Sequence, residues 1–92
     1  MDFKNINIGE NIVRMRKIHK MSQLQLAEII GKSQSAVSAY EHGETLPPFD
    51  VLLMIASALD VDIGMIMGLE SKSPALADLR MLYEMYLNDE KE

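Results

Sequence analysis

The amino-acid sequence predicts a small all-α protein of six short helices. Three observations support this fold class. No stretch alternates between apolar and polar residues for long, as a half-buried strand would. Apolar residues instead recur three and four positions apart, and Ser, Pro and Gly stand where helices begin and end. With 92 residues, 48% of them hydrophobic, the chain is long enough for one domain with a true core and one appended element.

The first two predicted helices lie close together in the sequence. The first runs from about residue 8 to residue 20, and Lys and Arg crowd its C-terminal half, where cations complement the helix dipole. The second opens at Ser22, because Ser22 and Gln25 have the spacing of a capping box. Gly31 supplies a left-handed stop. The second helix is therefore about two turns long and depends on its neighbours for stability.

The third predicted helix follows after a very short turn. Ser33 is its N-cap, and the helix runs over residues 34–42 and stops at Gly43. Its apolar residues fall on one edge. The other side carries small, mostly polar and uncharged residues, namely Gln34, Ser35, Ser38 and Ala39. A purely solvated helix tends to carry Lys and Glu instead, so this face is typical of a helix that enters a DNA groove.

Three more helices complete the prediction. Pro48 stands at or near the first turn of a fourth helix that is apolar on much of its circumference and should be the central core helix. Asp62 caps a fifth helix that Gly68 ends. Ser73 and Pro74 begin a sixth over about residues 73–88, and the acidic tail should fray.

Helices two and three together form a helix-turn-helix unit. Its second helix must project from the body to enter the major groove, which is about 12 Å wide. The first helix then crosses the DNA backbone with its N-terminal amides toward phosphate. A helix, glycine and helix pattern alone is weak evidence, because many αα-hairpins share it.

The chain from Ile8 to about Leu69 resembles the Cro-like, lambda-repressor-like (XRE-type) family of helix-turn-helix DNA-binding domains. The resemblance is carried by Ile8-Gly9-Glu10-Asn11-Ile12, Met21-Ser22-Gln23, Leu26-Ala27, Ser33-Gln34-Ser35-Ala36-Val37-Ser38, Tyr40-Glu41-His42-Gly43, Pro47 and the run from Leu52 to Leu59. It implies a five-helix DNA-binding domain over residues 1–70. Residues 71–92 then form a linker and an additional C-terminal helix.

The resemblance also implies roles for individual residues. Gln23 matches a position that contacts phosphate and braces the third helix, which reads the DNA bases in this family and is called the reading helix below. Gln34 can make paired hydrogen bonds to adenine. Arg16 and Glu41 match a partly buried ion pair. The DNA-binding residues predicted in this way are Ser22, Gln23, Lys32, Ser33, Gln34, Ser35, Ser38, Ala39, His42 and Thr45.

Departures from the family pattern predict weak binding by a single copy. Glu44 stands in a loop that often carries Lys or Arg, and Ala39 lacks a hydrogen-bonding group. Fewer phosphate contacts mean a shallow salt dependence, so we expect a homodimer on a near-palindromic operator. The sixth helix is more apolar than a lone exposed helix should be. Its predicted dimerisation residues are Leu76, Leu79, Leu82, Tyr83, Met85 and Tyr86; the alternative is an arm that packs on its own domain.

Charge and composition narrow the remaining function classes. The net charge is −5, but residues 1–32 hold six Lys and Arg against three Asp and Glu, so the N-terminal part can still face phosphate. The chain has no cysteine, and His19 and His42 stand alone, which predicts no metal site. No nucleophile set or phosphate-binding loop is present, so we expect no catalysis, no cofactor and no small-molecule ligand.

Two further expectations concern location and partners. Without an apolar signal region or membrane-length run, the sequence predicts a cytoplasmic protein with no membrane partner. The alternative function keeps the fold and changes the partner: a protein-interaction module, antitoxin-like or adaptor, whose acidic C-terminal part binds another protein.

Overall fold

The computed structural model describes residues 7–68 and 76–90, and in the last helix it describes the side chains of residues 80–88. This part of the chain is all-helical and contains no strand. The helices are α1 (Ile8–Ile18), α2 (Gln23–Ile30), α3 (Gln34–Glu41), α4 (Phe49–Ala58), α5 (Ile63–Ile66) and α6 (Leu76–Glu90). The predicted fold class is confirmed.

Local capping explains where the central helices begin and end. The Ser22 side chain accepts from the Gln25 backbone N–H, and the Gln25 side chain accepts in return from the Ser22 backbone N–H, so the capping box is complete. Gly31 ends α2 with a left-handed φ of 69°. Ser33 caps α3 by accepting from the Ala36 backbone N–H. Each of these signals was readable in the sequence.

Two helix boundaries differ from the predictions. Helix α1 ends at Ile18 rather than near residue 20, because Lys20 adopts a left-handed φ of 55°. By contrast, Pro48 is the N-cap of α4 and so stands next to its first turn, as predicted. Helix α6 continues to Glu90, since no Gly or Pro follows Pro74 to stop it. Its predicted start at Ser73 and Pro74 lies outside the described residues.

Helix α4 is the centre of the core, as its apolar circumference predicts. Leu52 and Ile55 are completely buried, and Leu59, just beyond the helix, is buried too. Residues of every other helix surround them, including Ile12, Leu26, Val37, Ile66 and Tyr83, each at most 1% exposed. Burial on this scale is the main source of stability for helices that are this short.

The inner face of α6 packs on the same chain, which corrects part of the predicted dimer surface. Tyr83 and Tyr86 are 0% and 5% exposed and belong to the protein's own core. Leu82 is half-buried against that core, whereas Met85 is 48% exposed. The tyrosines were assigned to a dimer contact because their spacing marks an apolar stripe, but a stripe does not say which surface covers it. The side chains of Leu76 and Leu79 lie outside the described part.

Over residues 7–68 and 76–90, none of the helices combines the length and the apolar character that crossing a membrane requires.

Candidate nucleic-acid interface

Helices α2 and α3 meet through a turn of three residues, Gly31 to Ser33. The left-handed Gly31 reverses the chain, and the Lys32 backbone N–H donates to the Ala27 carbonyl oxygen at 2.9 Å. Ala27 itself is 1% exposed, so its small side chain lies at the contact between the helices. The turn chemistry thus fixes the angle at which α3 leaves α2.

The N-terminal end of α3 is open to solvent. Gln34 and Ser35 are exposed, as are Lys32 and Ser33 just before the helix. Ser38 and Ala39, one turn later, are half-buried rather than fully exposed as their position on the outward side suggested. A partner approaching α3 therefore meets the side chains of its first turn with the least hindrance.

The C-terminal end of α3 is held by a buried polar network. The Arg16 guanidinium donates to both carboxylate oxygens of Glu41, from Nε at 2.6 Å and from Nη2 at 3.0 Å. The Gln23 amide nitrogen donates to Glu41 Oε1 at 2.9 Å, and Arg16 Nη1 donates to the Met21 carbonyl oxygen at 2.9 Å. The predicted pair is present, and it joins α1, α2 and α3 at one point.

Burial and hydrogen bonding compete at Glu41. The Glu41 side chain is 3% exposed, and this desolvation alone would raise its pKa. Hydrogen bonds from Arg16 and Gln23, together with the positive charge of Arg16, outweigh desolvation, and the pKa of Glu41 is lowered. The carboxylate is therefore held ionised, and the network is a permanent attachment of α3.

Helix α1 crosses α3 very closely at Gly9. A Cβ placed on Gly9 would lie 2.7 Å from the Tyr40 carbonyl oxygen and closer still to that of Glu41. Both oxygens are backbone atoms and cannot rotate away. Glycine is therefore required for the two helices to approach, and a glycine in the first turn of an amphipathic helix was the available signal for this contact.

The segment after α3 presents further polar groups. The His42 ring nitrogen Nδ1 lies 2.8 Å from the Ser38 carbonyl oxygen. Since a carbonyl only accepts, the tautomer with the proton on Nδ1 makes this bond and leaves Nε2 for other partners. The backbone N–H groups of Glu44 and Thr45 both donate to the Ala39 carbonyl oxygen, at 3.0 and 3.4 Å. His42, Glu44 and Thr45 are all exposed.

The ten predicted DNA-binding residues thus occupy one continuous part of the chain. They run from the N-cap of α2, through the turn and α3, to the loop that follows. Seven of them are exposed and lie outside α3 or in its first turn, namely Ser22, Lys32, Ser33, Gln34, Ser35, His42 and Thr45. Gln23 is half-buried because its amide is tied to Glu41.

One contact near this surface escaped sequence reasoning. The Tyr83 hydroxyl of α6 donates to the Pro47 carbonyl oxygen, 36 residues away in sequence. No local pattern encodes a bond over that separation, although a tyrosine on an apolar helical stripe needs a partner for its hydroxyl once buried.

Comparisons with known proteins point to one family. The helix-turn-helix family model matches residues 12–66, more than half of the chain. An uncharacterized HTH-type transcriptional regulator, YobD of Bacillus subtilis (strain 168), is 38% identical over 60 residues, covering 65% of this chain and 54% of YobD. The antitoxin PezA of Streptococcus pneumoniae serotype 4 is 27% identical over 84 residues, or 91% of this chain and 53% of PezA. The chain thus spans about half the length of these curated relatives.

A solved structure agrees with the sequence matches. The P22 c2 repressor protein, in complex with a synthetic operator, has a TM-score of 0.65 and 32% sequence identity to this chain. The similarity covers 68% of this chain and 96% of that one.

Proposed function

Because the chain belongs to the helix-turn-helix family of lambda-repressor-like domains, we propose that it is a sequence-specific DNA-binding transcriptional regulator, acting in the cytoplasm as a repressor rather than as an enzyme. One observation carries the proposal. Helix α3 is fixed at its C-terminal end by the Arg16–Glu41–Gln23 network, while Gln34 and Ser35 at its other end are exposed and uncharged. A rigid helix with an open polar first turn suits the reading of base edges in the major groove.

The residues divide into base-reading and phosphate-binding groups. Gln34 and Ser35 read base edges, and Ser38 and Ala39 approach the groove one turn further along. The hydroxyl of Ser22 accepts the cap bond through its oxygen, so its own proton can donate to phosphate. Gln23 has one amide N–H beyond the bond to Glu41 for the same purpose. His42 keeps Nε2 beyond its Nδ1 bond to Ser38, and in the ring that carries both protons the Nε2–H group would donate to a phosphate oxygen.

The charges near α3 support modest affinity for one copy. Lys32 and Glu44 are both exposed, one at each end of the helix. The positive charge of Lys32 attracts phosphate, and the negative charge of Glu44 repels it. We therefore propose that a homodimer on a near-palindromic site supplies much of the affinity. With Tyr83 and Tyr86 buried, exposed Met81 and Met85 on the outer side of α6 are the better candidates for that contact.

Selection of DNA from a random pool, followed by anisotropy titration of the selected site, tests the function. We expect Gln34→Ala to weaken binding by about tenfold, the value of a good side-chain contact to a base. Ser57→Ala, an exposed serine on α4, is the matched control and should bind like the wild type. Sedimentation should show a dimer for the free wild-type protein and a monomer for Met85→Glu. Equal affinity of wild type and Gln34→Ala for the selected site would contradict the assignment of α3.

A second function has one observation in its favour. The match to the antitoxin covers 91% of the chain and so extends beyond residues 12–66, whereas the match to YobD covers 65%. An antitoxin-like role would use the region around α6 to bind another protein. Co-purification of a second protein, with no DNA recovered from the random pool, would favour this function over the first.

A further inference from the structure

Helix α6 contacts the loop that follows α3 through Tyr83. Tyr83 is completely buried, and its hydroxyl donates to the Pro47 carbonyl oxygen at 2.5 Å. Pro47 is itself fully buried and is the next-to-last residue before α4 begins at Phe49. The loop from Gly43 to Pro48 therefore does not lie loosely on the surface, because its C-terminal end is held by a buried hydrogen bond.

Aromatic packing fixes Tyr83 itself. Its ring lies 6.1 Å from the ring of Phe49 and stacks on Tyr86 at 6.0 Å. Arg80, one turn earlier on α6, places its guanidinium 5.1 Å from the centre of the Phe49 ring and lies 3.4 Å from Asp50. Helix α6 thus engages both Pro47 and the first turn of α4.

The other end of the loop is continuous with the reading helix. Glu44 and Thr45, two and three residues after the C-cap residue His42, donate their backbone N–H groups to the Ala39 carbonyl oxygen. Only Leu46 separates Thr45 from Pro47. A displacement of Pro47 would therefore be passed to Thr45, since so short a segment has little slack.

We propose that Tyr83 is a positioning residue for DNA binding: its hydroxyl, by holding Pro47, sets the loop that presents Thr45 to the DNA backbone. The inference rests on the proposed function and deepens it. Helix α6 lies beyond residues 12–66, the segment that the family model matches, so this support is additional to the matched helix-turn-helix region.

Tyr83→Phe is the decisive variant, because it keeps the ring and removes the donor. Amide hydrogen exchange of the free protein should speed up by about fivefold or more at Glu44 and Thr45, whose N–H groups donate to the Ala39 carbonyl oxygen, while exchange at α1 and α2 stays unchanged. Affinity for the selected DNA should fall by about fivefold, the equilibrium ratio that corresponds to one ordinary hydrogen bond. Asn88→Ala, an exposed change on the same helix, should alter neither quantity.

A double-mutant cycle separates positioning from general destabilisation. The loss of affinity caused by Tyr83→Phe should shrink in a Thr45→Ala background and persist in a Gln34→Ala background. A purely structural role would weaken all backgrounds equally. Should Tyr83→Phe not fold, Arg80→Ala takes its place: Arg80 is half exposed, and its removal loosens α6 against Phe49 and Asp50 and otherwise loses only the surface pair with Glu84 on the same helix.

The outcomes are distinct for the two proposals. Unchanged affinity and unchanged exchange at Thr45 would overturn the role of Tyr83, as would a uniform loss in all three backgrounds. Failure of the wild type to bind any selected DNA would instead overturn the proposed function and with it the DNA-binding part of this inference. Exchange at Thr45 would then still report whether Tyr83 holds the loop.

Discussion

The reading helix is supported from two sides that differ in chemistry. On one side, Arg16, Gln23 and Glu41 form a compact polar network that joins α1, α2 and the end of α3. On the other side, Tyr83 and Phe49 form an aromatic contact that holds the loop after α3. The polar side fixes α3 itself, whereas the aromatic side fixes the segment that follows it.

The two supports should respond differently to damage. An aromatic contact loses stability in proportion to the apolar area removed, so partial changes have partial effects. A buried charge network fails as a unit, because removing one partner leaves the other charge without compensation. The polar side is therefore the more fragile of the two, and α3 depends on it directly.

Breaking the polar network should give the largest effect on stability. Glu41→Ala leaves Arg16, whose side chain is 12% exposed, without its partner, and the free energy of unfolding should fall by about 3–5 kcal/mol. Urea denaturation measures this loss. Replacing both partners, as in Arg16→Met with Glu41→Leu, should restore much of the stability, because no unpaired charge remains.

That double variant makes the comparison sharper. If it were as unstable as Glu41→Ala, the cost would come from lost packing rather than from an unpaired charge, and the two supports would not differ in kind.

Adding a single methyl group at Gly9 should have the next largest effect. Gly9→Ala forces α1 away from the backbone of Tyr40 and Glu41, which should cost about 2–3 kcal/mol and lengthen the Arg16–Glu41 bonds. Thermal unfolding of Gly9→Ala and Gly43→Ala tests this. Gly43 has a positive φ of 73° and open space around it, so its alanine variant pays only a backbone cost of about 1 kcal/mol. Equal losses in the two variants would argue against a tight α1–α3 contact.

Much of the fold and the polar site was predictable because the signals are local. The caps formed by Ser22, Gly31 and Ser33 depend on residues no more than three or four positions away. The apolar circumference of α4 identifies it as the core helix. Arg16 and Glu41 are 25 residues apart, and resemblance to a family supplied that pairing.

The aromatic side could not be predicted in the same way. The spacing of Tyr83 and Tyr86 shows that they share a face of α6, but not whether that face meets α4 or a second copy. Burial against Phe49 and Pro47 is decided by tertiary packing between residues more than 30 positions apart in sequence, which no short pattern records. Likewise, Ser38 and Ala39 have the right position for an exposed face, yet tertiary packing half-buries them.

The smallest predicted effect is on how stability depends on pH, and it distinguishes the polar support from the aromatic one. The lowered pKa of Glu41 means that its contribution to stability is complete above the unfolded-state pKa and is lost as the pH falls below about 4. Burial raises the pKa of Tyr83, so its contribution is complete below the unfolded-state pKa and is lost as the pH rises above about 10. Urea denaturation from pH 3 to pH 11 should therefore show Glu41→Gln flattening the acid limb alone and Tyr83→Phe flattening the alkaline limb alone. A variant that changed both limbs would mean that the polar and aromatic supports are coupled through α3, and the description of two independent attachments would have to be abandoned.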